Sequence, residues 1–211
     1  MSNQKMRTRT AFYSILFGIG AFVFLAGCSG SGKHEHDTEE DHDHAHASGV
    51  EVPEDASAPQ FQVDQDFQEQ LAGVFASYLA LKDALVASDP GKVQSEASQT
   101  KKSLEQVDRK LLSGAANNDW MNWVQAIESS LMDIENTSNI DLQRKSFSVL
   151  SDNLYKSVKA FGLGGDEAFY EYCPMAFNNE GAYWLSDNEQ IRNPYFGDKM
   201  LKCGVVKERL K

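Results

Sequence analysis

The chain has 211 residues, of which 41% are hydrophobic, which is enough for one domain of ordinary size with tails. Its mean hydropathy of -0.46 argues against a polytopic membrane protein. The 31 acidic residues outnumber the 20 basic ones, and the formal net charge is -11. Such a surface repels phosphate backbones, so we expect no nucleic-acid partner.

The N-terminus has the parts of a secretory signal, with basic residues within the first nine and an apolar run over residues 11–25. The run is shorter than the ~20 apolar residues of a transmembrane helix. It ends at Leu25-Ala26-Gly27-Cys28, which resembles the bacterial lipobox, whose cysteine becomes the lipid-modified first residue. We therefore predict a lipoprotein signal peptide over residues 1–27 and lipidation of Cys28. Ser29 favours an outer-membrane anchor facing the periplasm, with the cell surface as an alternative; an uncleaved anchor helix is the competing interpretation.

Residues 28–62 lack apolar periodicity, and their polar composition predicts a disordered tether rich in histidine and acidic residues. It contains all five histidines of the chain: His34, His36, His42, His44 and His46. Imidazoles interleaved with carboxylates suit Zn(II), Cu(II) or Ni(II). We expect weak, unselective metal binding in this tether, and the alternative is a solvated linker with no metal.

Residues 63–164 carry apolar side chains at intervals of three and four, which predicts amphipathic helices. The first helix begins after Asp64, the second runs from Pro90 to about Leu111, and the third begins near Asp119. Gly162 and the residues that follow it end the fourth. Four such helices joined by short turns predict an all-α fold, an up-down four-helix bundle. No helix carries a Glu-x-x-His pair, so a ferritin-like di-iron site is not expected.

Residues 165–211 lose the helical period. The aromatic-rich runs 168–173 and 182–185, with turn residues between them, predict a β-hairpin. Residues 198–202 are predicted to form one turn of helix. We expect a short irregular or β-hairpin C-terminal tail that packs on the bundle.

The tail holds four sulfur side chains in two close pairs, Cys173 with Met175 and Met200 with Cys203. Thiolate and thioether donors select Cu(I), with Zn(II) or another heavy metal possible at thiolates. The four side chains are therefore our candidate metal ligands. A disulfide between the two cysteines is the alternative, because both thiols belong to a protein predicted to be exported, and such a bridge would contribute roughly 3 to 4 kcal/mol.

The motifs of the tail resemble a family of uncharacterised bacterial exported proteins. The residues that carry the resemblance are Tyr172-Cys173-Pro174-Met175-Ala176, Gly181, Trp184-Leu185-Ser186, Ile191, Asn193-Pro194-Tyr195-Phe196-Gly197 and Met200-Leu201-x-Cys203-Gly204. Members occur as small lipoproteins and as a C-terminal extension of the membrane-fusion adaptors of heavy-metal efflux pumps. The resemblance extends over roughly residues 65–210. It implies a helical domain with a copper- or heavy-metal-handling tail. A heavy-metal efflux adaptor is a candidate partner.

An enzyme is not expected, since every histidine lies in the tether and leaves the remainder of the chain without an imidazole base. No phosphate-binding glycine loop occurs either. The sequence thus predicts a lipid-anchored periplasmic protein that binds Cu(I) or another soft metal, for buffering or for delivery to an efflux system. The alternative is a non-catalytic structural or interaction lipoprotein with a Cys173–Cys203 disulfide.

Overall fold

A computed structural model describes residues 57–211 of the chain. Its helices are α1 (Gln65–Val86), α2 (Pro90–Leu104), α3 (Gly114–Glu135) and α4 (Ile140–Phe161), and its strands are β1 (Ala168–Cys173), β2 (Ala182–Ser186) and β3 (Val205–Leu210). The described part is mostly helical, with a small antiparallel sheet at its C-terminal end. The predicted signal peptide, the lipidation site Cys28 and the five tether histidines lie outside the described residues.

Helix starts follow the capping residues that the sequence offers. Asp64 caps α1 by accepting a hydrogen bond from the Asp66 amide. Asp89 caps α2 with Pro90 in the first turn, where a missing N–H costs nothing. At the other end, Gly162 closes α4 with a φ of 74°, a value that glycine adopts without strain. These boundaries confirm the predicted ones.

The predicted end of the second helix at Leu111 is wrong, because α2 stops at Leu104. Two polar side chains satisfy backbone groups that a longer helix would have paired. The Gln70 side chain accepts from the Asp108 amide at 2.7 Å, and the Asp108 carboxylate then accepts from the Lys110 amide. A separate 3-10 turn therefore forms over Arg109–Leu111. The third helix also begins earlier than predicted, at Gly114 instead of near Asp119.

The core lies along the apolar stripes of the four helices. Helix α1 packs against α2, α2 against α3, and α3 against α4. Aromatic rings fill one part of this core, where Phe67 packs edge-on against Trp120 at 5.4 Å and against Phe161 at 5.1 Å. The apolar stripe of the first helix is buried throughout, as predicted: Phe67, Leu71, Val74, Phe75, Tyr78, Leu81 and Leu85.

The sheet has the strand order β2-β1-β3, with every pair antiparallel. Strands β1 and β2 form the predicted hairpin, while β3 was not predicted and adds a third strand on the other edge of β1. The hydroxyl of Tyr78 in α1 ties this sheet to the helices, because it accepts from the Leu185 amide at 3.0 Å and lies 2.7 Å from the Ser151 hydroxyl.

Residues 57–62, which the prediction assigns to the tether, contact the folded part. Ser57 forms an isolated bridge with Leu210, and the ring of Phe61 stacks on Phe161 at 5.7 Å. The Phe61 amide also donates to the Ala160 carbonyl at 2.8 Å. Between residues 57 and 211, none of the helices combines the length and apolar character that a membrane crossing requires.

Candidate metal-binding site

The two cysteines of the tail meet at the end of the central strand. Cys173 is the last residue of β1, and Cys203 lies two residues before β3. Antiparallel pairing sets Tyr172 opposite Val205, which brings the two thiols to the same place. Their Sγ atoms are 2.9 Å apart, and both cysteines are free thiols. The structure therefore unites half of the predicted ligand set.

The loop that carries Cys203 is organised by one buried side chain, Asn193. Its amide nitrogen Nδ2 donates to the Cys203 carbonyl at 2.7 Å, and its Oδ1 accepts from the Tyr195 amide at 2.8 Å. Its backbone N–H donates to the Leu201 carbonyl at 2.9 Å. A single buried residue thus fixes the backbone on both sides of the segment that presents the second thiol.

Close packing against Trp184 requires glycine next to Cys203. Gly204 has a φ of +154°, and a Cβ there would lie 2.8 Å from Cη2 of Trp184 and 3.2 Å from the Tyr172 carbonyl oxygen. Trp184 itself is fully buried. The indole ring therefore packs directly on the backbone next to Cys203.

The thiols differ in exposure and in proton affinity. Cys173 is fully buried, while Cys203 is partly exposed. Burial, together with the hydrogen bond to the neighbouring Cys173 thiol, raises the pKa of Cys203 to about 11. Cys203 is therefore a neutral thiol at pH 7, and any metal that binds it must displace a proton.

The two methionines lie on the wall of a separate cleft of about 600 Å³. Met175 projects from the turn after β1 and is 46% exposed, while Met200 ends the 3-10 turn Gly197–Met200. Phe177 and Phe196 line the same cleft. Neither cysteine lines it, so the four predicted ligands are placed as two pairs, thiols in one location and thioethers in another.

The turn that carries this cleft wall has an unusual backbone. Three consecutive residues are left-handed, Phe177 at a φ of 50°, Asn178 at 59° and Asn179 at 71°. Asparagine tolerates this region, whereas a phenylalanine there costs about 1–2 kcal/mol. The strain holds the Phe177 ring edge-on against Tyr195 at 5.4 Å.

In the comparison with known proteins, a family model matches most of the helical part of the chain and stops short of the strands of the tail. Residues 74–166 match the family described as "Protein of unknown function (DUF3347)". The match runs from α1 to just beyond α4 and ends before β1. It agrees with the predicted resemblance to an uncharacterised family, while the link to lipoproteins and efflux adaptors stays a prediction. No curated protein and no solved structure is significantly similar to the chain.

A buried acid close to the thiols was not predicted. Glu171 is fully buried on β1, two residues before Cys173 and therefore on the same face of the strand. Its carboxylate lies near the indole nitrogen of Trp184, but among the described residues no contact of either oxygen meets the geometry of a hydrogen bond. Burial raises the pKa of Glu171 to about 8, against the opposing attraction of the Lys82 ammonium. The sequence did hold a signal for this burial. In a β-strand, Phe169, Glu171 and Cys173 alternate onto one face, so the acid lies on the same face as two side chains expected to be buried.

A buried arginine was missed as well. Arg144 in α4 donates to the Pro194 carbonyl and to the Ser88 hydroxyl, both at 2.9 Å. Burial lowers the pKa of Arg144, although Asp141 opposes that shift. This side chain connects the helices to the segment that leads to Met200. Across residues 57–211, no three side chains of the His, Cys, Asp and Glu types are grouped to hold a metal ion.

Proposed function

We propose that the protein is a lipid-anchored periplasmic protein that binds a soft metal ion through Cys173 and Cys203, with Cu(I) as the preferred ion. Zn(II) or another heavy metal is the next candidate. The thiols would be carried by an up-down four-helix bundle. One observation carries the proposal, the 2.9 Å separation of two free thiols at the end of β1.

The chemistry of the pair favours a soft ion. Thiolates prefer Cu(I) and Zn(II) over hard ions such as Mg²⁺ or Ca²⁺. Sulfur binds Zn(II) at about 2.3 Å, so two sulfurs on one ion lie at most about 4.6 Å apart. A pair that starts at 2.9 Å needs to open by only about 1–2 Å to hold an ion. The buried ring of Trp184 beside Gly204 would limit access of water to that ion.

The proposed role is buffering of the ion or its delivery to an efflux adaptor. Anchoring through Cys28 at the outer membrane would keep the protein where exported metal passes. The five histidines of the tether would collect ions weakly, and the thiols would bind one tightly. The support for these steps is the lipobox-like tetrapeptide, the composition of the tether and the family resemblance of the tail.

The same close contact also favours a second function. Two thiols at 2.9 Å in an oxidising compartment can form a disulfide that closes the loop from β1 to β3. The protein would then be a non-catalytic structural or interaction lipoprotein. The close approach of the thiols would then serve the stability of the tail instead of metal binding.

The test is an anaerobic Cu(I) titration against a competing chelator, on the mature chain from residue 28 with Cys28→Ser. This substitution removes the lipid and is also the matched control, because it deletes the one cysteine outside the site. We expect one tightly bound equivalent, which the further pair Cys173→Ser/Cys203→Ser abolishes. The chelator competes away the weaker histidine sites.

A free-thiol count on the same protein, purified without reductant, separates the two functions. Two reactive thiols after denaturation support the metal site. No reactive thiols, together with no tight Cu(I) binding after reduction, would replace the proposal with the disulfide-closed lipoprotein.

A further inference from the structure

The two thioethers share a cleft that the thiols do not enter. Met175 and Met200 come from different segments, one after β1 and one before β3, and both line the same cavity of about 600 Å³. Met175 is 46% exposed, whereas Cys173, two residues earlier, is fully buried. An ion arriving from solvent therefore reaches the Met175 thioether more readily than the Cys173 thiol, while the Cys203 thiol is itself partly exposed.

The cleft wall is held in place by a strained backbone. The left-handed Phe177 and its two left-handed neighbours hold an aromatic ring in the cleft wall, and that ring packs edge-on against Tyr195 at 5.4 Å. Strain of this type concentrates at ligand sites, where it presets a geometry that a relaxed turn would not hold. A turn that served only to connect β1 and β2 would not need a left-handed phenylalanine.

The chemistry of the wall selects the class of ion. Thioether sulfur is a neutral, soft donor that suits Cu(I) and Ag(I) and binds without releasing a proton. Aromatic faces such as those of Phe177 and Phe196 also attract a cation. Arg144 and Lys145 line the cleft with one acid, Asp141, so the wall carries more positive than negative charge. Repulsion from that charge grows with the charge of the ion and disfavours Zn(II) relative to a monovalent ion.

We propose that Met175 and Met200 form a second, separate site for Cu(I) or Ag(I), which takes up the ion at the surface ahead of the thiols. The transfer of the ion from the methionines to the thiols rests on the proposed function, whereas the existence of the methionine site does not. When the ion moves inward, it exchanges thioether sulfur for thiol sulfur, and the thiol protons pass to solvent.

Methionine methyl NMR tests the site directly. The mature chain has four methionines, Met121, Met132, Met175 and Met200, so ¹³C-labelled methyl groups give four signals. The protein carries Cys28→Ser, Cys173→Ser and Cys203→Ser, alanine replaces the five tether histidines, and Ag(I) is the probe. We expect the signals of Met175 and Met200 to shift together and to saturate at one equivalent.

Met132 is the matched control, because it is 48% exposed on α3 and does not line the cleft. We expect Met175→Leu to abolish the shift of Met200, and Met132→Leu to change nothing. Equal shifts at Met132 and Met175 would overturn the proposal, since they would show general thioether affinity. A shift of Met175 alone would overturn it too. If the serine variant does not fold, the same spectra are taken with alanine at both cysteines.

The outcomes also separate this site from the proposed function. If the methyl signals of both methionines shift but the thiol-containing protein binds no Cu(I) tightly, the thioether site exists and the proposed thiol site does not. If the thiol-containing protein binds one Cu(I) tightly but no methyl signal shifts in the thiol-free protein, the thiol site exists and the thioether site does not.

Discussion

In the helical region, residues 65–161, most buried side chains are apolar and lie on the face that helical spacing assigns to the core. Its buried hydroxyls pair locally, as when Ser151 and Ser157 donate to the carbonyls one turn earlier. The tail, residues 165–211, is different. It fully buries an acid, Glu171, with the Trp184 indole nitrogen nearby, and it holds Phe177 in a left-handed conformation. The helical region also buries one polar atom without a partner among the described residues, Oε1 of Gln143, so the contrast is one of degree.

This contrast separates features that stabilise the protein from features that cost stability. Burying an unpartnered polar group costs about 1–3 kcal/mol, and more for a charge. Such costs persist in a native protein where the arrangement serves something other than stability. Glu171 lies two residues before Cys173, and Phe177 lines the methionine cleft, so the tail is where we expect costs in stability to accompany a site.

The largest expected effect is a loss of stability in the helical region. Leu131 is fully buried in α3, and Leu131→Ala leaves a cavity that should cost about 4 kcal/mol in the free energy of unfolding. Urea unfolding measures this loss. The folded variant should keep its Cu(I) equivalent. An affinity loss as large as that of the cysteine substitutions would show that the two regions are not independent.

The second effect is a gain of stability in the tail. A carboxyl whose pKa is raised to about 8 by burial binds its proton more tightly in the folded state, so folding stability falls as pH rises from about 4.5 to 8. Glu171→Gln cannot ionise and escapes this loss. Relative to the unsubstituted protein, it should gain roughly 3 kcal/mol between pH 5 and pH 8.

Urea unfolding at the two pH values tests this gain. Glu69→Gln, at an exposed position of α1, is the matched control and should show no such pH dependence. A constant difference between Glu171→Gln and the unsubstituted protein from pH 5 to pH 8 would contradict the assignment of Glu171 as the titrating group.

The third effect is the pH dependence of metal binding. Because burial and the neighbouring thiol raise the pKa of Cys203 to about 11, Cu(I) must displace its proton at any lower pH. The apparent affinity should rise about tenfold per pH unit for each proton released between pH 6 and pH 9. Chelator competition at several pH values measures the slope. Ag(I) binding at the methionines releases no proton and should not change over this range, and a flat Cu(I) profile would rule out Cys203 as a ligand.

The helical region could be predicted from the sequence because its information is local. The caps at Asp64 and Asp89 and the stop at Gly162 involve only residues within one turn of the helix end. A local pattern can therefore predict these boundaries, and the structure confirms them. The end of α2 was not predicted, since it depends on Gln70, which contacts Asp108 from 38 positions away.

The tail could be predicted only in part for the same reason. The hairpin of β1 and β2 is local and was expected, whereas β3 pairs with a strand more than 30 residues earlier. The proximity of Cys173 and Cys203 was expected from residue type. The separation of the thiols from the methionine cleft depends on how the loop around Asn193 folds back, which no local pattern specifies.

The smallest effect compares the same substitution in the two regions. Gly73 lies inside α1, and a Cβ there would meet nothing within 4 Å. Gly73→Ala should therefore stabilise the protein by about 0.5–1 kcal/mol, because alanine loses less backbone entropy in a helix. At Gly204, a Cβ would press on Trp184 at a φ that other residues rarely adopt, so alanine should destabilise the tail.

Urea unfolding and Cu(I) competition on both variants test this last difference. We expect opposite signs in stability, with Cu(I) affinity unchanged for Gly73→Ala and weakened for Gly204→Ala, since Gly204 follows Cys203 directly. If alanine stabilises the protein at both positions, the tail accepts an added side chain as readily as the helices do. In that case the costs found near the thiols could no longer be assigned to function.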